Sequence, residues 1–104
     1  MIGGSLMDYV IIMIPRDKGA ALGRIVQDDL VSRQTLNIRE AKGLGMTGDE
    51  TYVLIEGTDA SLKKAIELVG VEGKVIPSPE RERIREALKK AEDEVAEGLG
   101  LMFG

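Results

Sequence analysis

The sequence contains no cysteine, no histidine and no tryptophan. Without cysteine there is no disulfide and no thiolate nucleophile. Without histidine there is no imidazole base, and the usual ligand sets for zinc and copper are missing. Any chemistry would fall to serine, threonine, lysine or carboxylates, and none of these stands in a recognisable nucleophile motif. Carboxylates are plentiful, but Asp28-Asp29 and Glu92-Asp93-Glu94 are neighbours that point to different sides of a helix, so they form no general acid/base pair. The expectation is a protein that is not an enzyme and has no metal site.

Other classes fall away in the same manner. The aromatics are Tyr9, Tyr52 and Phe103 alone, too few for an RNA-binding sheet that stacks bases on its central strands. A net charge of -4 and a pI near 4.9 give no bulk attraction for nucleic acid or an anionic membrane. No apolar run approaches the roughly 18 residues of a membrane span. Met1–Leu6 has no basic stretch and no long apolar stretch, so it does not read as a signal peptide. Residues 1–7 read as a leader or flexible tail, with Met7 a plausible natural start. With neither export signal nor disulfide, the expected location is the cytoplasm.

What is present is ordinary globular material: 104 residues, 43% hydrophobic and 31% charged, enough for one domain over 8–104. Tyr9–Ile14 is an unbroken apolar run stopped by Pro15, as in a buried strand. Asp17 is placed to cap a helix with Leu22, Ile25, Val26 and Leu30 on one face, ending near Ser32. Leu36–Ala41 and Thr51–Glu56 read as strands two and three. A second helix starts at Asp59 or Ser61, buries Leu62, Ala65, Ile66 and Val69, and stops at Gly70. Lys74–Ile76 is a short fourth strand. Ser78-Pro79 starts a last helix carrying Ile84, Leu88, Ala91, Val95 and Leu99, expected to reach about Glu97 and to end at Gly98 and Gly100. The predicted fold is α+β: a ferredoxin-like βαββαβ sandwich with a four-stranded antiparallel sheet, plus a C-terminal helix.

The strands raise a packing problem. Two helices cover one face of such a sheet, and the other should be polar. Yet Tyr9, Ile11 and Met13 point one way along strand one while Val10, Ile12 and Ile14 point the other, and strand three behaves similarly. Leaving such side chains wet forgoes roughly 1.5–3 kcal/mol each. Sheet-to-sheet packing between subunits is the favoured cover, and the terminal helix folded back over the sheet is the other solution.

Three segments are candidates for binding. Lys42-Gly43-Leu44-Gly45-Met46-Thr47-Gly48 contains G-x-G-x-x-G, but a strand follows it rather than a helix, so it is no dinucleotide fingerprint. It serves either as a bulged hairpin needing positive φ or as a phosphate-facing loop. Gly70-Val71-Glu72-Gly73-Lys74 is a turn, or a second anion contact. Arg81, Arg83 and Arg85 alternate with Glu80, Glu82 and Glu86, which reads as a self-paired face or as guanidiniums at a helix start.

The order and spacing over Asp8–Ile76 resemble the nitrogen regulatory PII family. Leu36–Gly45 is similar to the family's Glu-x-Lys-Gly-x-Gly approach to its T-loop, and Gly73-Lys74-Val75-Ile76 to its fourth-strand entry. The resemblance implies a PII/CutA-like homotrimer with sheets facing a central axis. It also implies a cleft between subunits for a small anionic effector such as ATP, ADP or AMP. Gly43 and Gly45 would lie at the T-loop base and Gly73 and Lys74 in the phosphate-contacting B-loop. The T-loop itself is cut to about 46–49, and Val71 replaces the B-loop's first glycine. The expected function is thus a PII-like sensor with ligand contacts from Lys42, Gly43, Gly45, Gly73, Lys74 and Arg81. A structural interaction module and an ACT-like amino-acid sensor are the alternatives.

Overall fold

The structure, a computed structural model, describes residues 8–103, with side chains through Ala91; the leader expected over 1–7 lies outside the described residues. Asp8–Ile14 forms β1, Thr35–Glu40 β2, Thr51–Gly57 β3 and Lys74–Val75 β4. Gly19–Gln27 is α1, Asp59–Val69 α2 and Glu80–Phe103 α3. The strands make one antiparallel sheet in the order β2-β3-β1-β4. This is the ferredoxin-like α+β arrangement with one helix added.

Both faces of the sheet are buried, as the doubly apolar β1 requires. Val10, Ile12 and Ile14 of β1 and Val53 and Ile55 of β3 pack with Ala21 and Ile25 of α1 and with Leu62, Ala65 and Val69 of α2. On the other face Ile11, Tyr52 and Leu54 pack with Ala41, Ile76 and, from α3, Ile84 and Leu88. The second face is therefore covered from within the chain, by the helix that was the less favoured solution. A sheet-facing trimer loses its physical ground, because the apolar side chains it would bury are already buried.

Local chemistry moved several boundaries. Asp17 makes no cap; it lies in a short 3₁₀ turn, Arg16–Lys18, ahead of α1. α1 stops at Gln27, well before Ser32, because Asp28 turns extended and its Oδ2 accepts from the Leu30 and Val31 amides at 3.0 and 2.9 Å. Such side-chain bonding to nearby amides competes with helix continuation. Val31 consequently takes the buried place, and Leu30 is exposed. α2 is capped by Thr58, whose Oγ1 accepts from the Ser61 amide at 3.3 Å. Ser61 is itself fully buried and donates to the Thr58 carbonyl at 2.7 Å. The Ser78 hydroxyl donates to Glu82 Oε2 at 2.9 Å. Gly98 and Gly100 do not end α3, which runs on to Phe103; a helical glycine costs about 1 kcal/mol but does not forbid the conformation.

Candidate functional site

Strand pairing fixes where the candidate residues can meet. Glu40 at the end of β2 lies opposite Thr51, Thr51 opposite Ile14, and Met13 opposite Lys74. The turn after β2 and the entry to β4 therefore share one end of the sheet. They occupy opposite edges of it, with β3 and β1 between, so at about 4.8 Å per strand the separation is roughly 14 Å. One chain does not bring Lys42, Gly43 and Gly45 together with Gly73 and Lys74.

Each predicted residue has a definite place. Lys42 lines a hollow of about 320 Å³ with Arg16, Glu40 and Asp49, where two cations and two carboxylates leave no net attraction for an anion. Gly43 and Gly45 border a hollow of about 230 Å³ against Ala87, Lys90 and Ala91 of α3. Gly45 has φ +76°, the left-handed conformation that ends the 3₁₀ turn Ala41–Leu44, so the turn has the positive φ that glycine supplies. Gly73 is a packing residue: a Cβ there would stand 2.5 Å from Val69 Cγ1 and 2.9 Å from the Met13 carbonyl. Lys74 is exposed on the edge strand.

Arg81 is engaged in fastening α3. Its guanidinium lies 4.6 Å from the centre of the Tyr9 ring, and that of Arg85 lies 4.8 Å from it. Arg81 Nε donates to Glu82 Oε2 at 3.0 Å, and the Tyr9 hydroxyl donates to the same oxygen at 3.0 Å. Arg85 and Lys89 donate to Glu56 of β3 at 3.3 and 3.1 Å. The hydrogen bonds from Ser78, Arg81 and Tyr9 hold the Glu82 carboxyl below the usual range. For Glu56, burial pushes the carboxyl up, but the bonds from Lys89 and Arg85 outweigh it and the net displacement is downward. Burial, with the bond to Glu82, pushes the Tyr9 hydroxyl up. This clasp joins α3 to one end of the two central strands, β1 and β3, through charge and an aromatic face.

Between the hairpin turn and α3 lies a cleft of about 500 Å³, lined by Met46, Pro79, Glu80, Arg83, Ile84 and Ala87. Its walls are largely apolar, with one cation and one carboxylate at the rim, the mixture small-ligand sites use. Tyr52 belongs to the same core cluster as Ile84 and Met46; it is 5% exposed, and its hydroxyl donates to Glu50 at 3.3 Å. Burial and then the charge of Glu50, with a smaller contribution from Glu80, push that hydroxyl up. Sequence reasoning placed Arg83 among the alternating arginines and Ile84 on the apolar stripe without joining them to Met46. Only the docking of the hairpin on α3 does that. Among the described residues there is no cluster of acidic side chains able to hold a metal, and no helix is long and apolar enough to cross a membrane. Comparison with family models, with curated proteins and with solved structures returns no match to this chain.

Proposed function

We propose that the chain is a non-catalytic regulatory module that binds a small metabolite bearing a carboxylate or phosphate group in the cleft between the hairpin turn and α3. The observation that carries this reading is the cleft itself: about 500 Å³ of largely apolar wall with Arg83 at its rim. Arg83 enters none of the ion pairs among the described residues, so its charge is available to a ligand. The resemblance to PII proteins supplies the first compounds to try, ATP, ADP and AMP. A cleft shared between PII-type subunits would require α3 to leave the sheet, so the proposal keeps the site within one chain.

Calorimetric titration of the full chain with the three nucleotides and with simple carboxylates tests the reading. A binding heat that Arg83→Gln weakens is expected. No heat from any phosphate or carboxylate ends it, and a heat indifferent to Arg83→Gln but lost in Lys74→Ala moves the site to the β4 edge. A second reading, a protein-docking module, has its own observation: β2 is an edge strand that leaves Ile38 38% exposed, open to strand addition.

A further inference from the structure

Six charged residues stand in the first two turns of α3, Glu80 to Glu86, and they divide into two sets. Arg81, Glu82 and Arg85 are all engaged, Arg81 with Glu82 and Arg85 with Glu56. Glu80, Arg83 and Glu86 belong to none of the ion pairs among the described residues, and of these Glu80 and Arg83 line the cleft. They are three residues apart on the helix, close enough for their charges to meet, at about 5–6 Å between Cβ atoms. They nevertheless stand unbridged, one anion and one cation side by side at the rim of an apolar wall built from Met46, Pro79, Ile84 and Ala87.

Resting on the reading of the cleft as a ligand site, we propose that its ligand is a zwitterion, an α-amino acid with an apolar side chain. Arg83 takes the carboxylate, Glu80 takes the ammonium, and the side chain lies against Met46 and Ile84. The charge pattern discriminates. A ligand bearing only anionic groups can still pair with Arg83 but also meets the Glu80 carboxylate, and that like-charge contact makes it the weaker binder. A plain amine meets Arg83 in the same way. A ligand carrying both charged groups on one carbon satisfies both walls, and each charge-assisted hydrogen bond adds discrimination that a neutral contact would not. A cleft of about 500 Å³ lies within the range of small-molecule sites, about 300–1,000 Å³.

The test is calorimetry on the full chain with three probes of one shape. L-leucine carries both charges, 4-methyl-2-oxopentanoate lacks the ammonium, and 3-methylbutylamine lacks the carboxylate. Leucine is expected to bind about tenfold or more tightly than either analogue. Glu80→Gln is expected to bring leucine down to the level of the oxo acid without weakening the oxo acid, while Arg83→Gln weakens both. Both residues are exposed, so neither variant threatens the fold. Equal binding of leucine and the oxo acid, with Glu80→Gln silent, overturns the zwitterion inference and leaves the anion site standing. Absence of heat from every carboxylate and phosphate removes both.

Discussion

The two faces of the sheet are closed by different means. α1 and α2 are the crossovers from β1 to β2 and from β3 to β4, so the sheet cannot assemble without laying them on its first face. α3 follows β4 through Pro77–Pro79 and is not a crossover between the four strands. It is held by Ile84 and Leu88 within the core and by the clasp at Tyr9 and Glu56 at one end of β1 and β3. Two helices packed side by side leave a closed layer. One helix crossing a sheet alone leaves a seam, and the cleft at Met46, Arg83 and Ile84 lies in that seam.

The sharpest way to break this contrast is to delete one buried side chain from each face. Ile25 and Leu88 are both 0% exposed. Ile25→Ala and Leu88→Ala are each expected to lower the unfolding free energy by about 2–5 kcal/mol in urea titrations. Comparable losses in one cooperative transition make α3 an integral layer. A loss below about 1 kcal/mol for Leu88→Ala alone means that α3 is only laid on the surface.

A smaller effect isolates the clasp, which has no counterpart on the first face. Tyr9→Leu keeps apolar bulk but removes the ring beneath two guanidiniums and the bond to Glu82. Thermal melting should report a loss of about 1–2 kcal/mol, and no loss would separate the aromatic stacking from the stability of α3.

Acid should act on the same face. Glu56 and Glu82 have folded-state values below the unfolded ones. Their contribution is therefore fully present above the ordinary carboxylate value, about 4.3, and is lost as pH falls through the lower folded values. Melting temperature should drop on acidification below that point. The drop should be shallower in the double variant Glu56→Gln, Glu82→Gln; an unchanged slope would assign the acid sensitivity to other carboxylates.

The smallest expected effect lies in the hairpin that forms the far wall of the cleft. Gly45→Ala must hold a left-handed φ of +76° and should cost about 1 kcal/mol. Gly43→Ala meets nothing within 4 Å and should fall within about 0.5 kcal/mol of zero by urea titration. Equal costs would mean that the turn is not held against α3 in this conformation.

Much of the fold was legible before any coordinates. The opposed alternation of Tyr9, Ile11 and Met13 against Val10, Ile12 and Ile14 required cover on both faces, and both are covered. The order of strands and helices was enough for the ferredoxin-like plan. The candidate site was less legible. The resemblance to PII proteins implies a phosphate contact at Gly73, yet its close approach to Val69 and Met13 gives it a packing role. Arg81 reads as part of a self-paired face or as a phosphate contact; it does pair with Glu82, but it is also stacked on a tyrosine 72 positions away in sequence. Asp28 reads as a helical residue, yet its carboxylate terminates the helix.

Sequence alone determined the sheet, its two apolar faces and the absence of thiol and imidazole chemistry. These depend on residue identity and on a periodicity of two or of 3.6, which neighbours in the chain already specify. Tertiary structure decided that α3 lies over the second face, and which charges on α3 are paired and which line the cleft. Those outcomes depend on how a helix crosses strands distant in sequence, and helical spacing carries no record of what lies opposite.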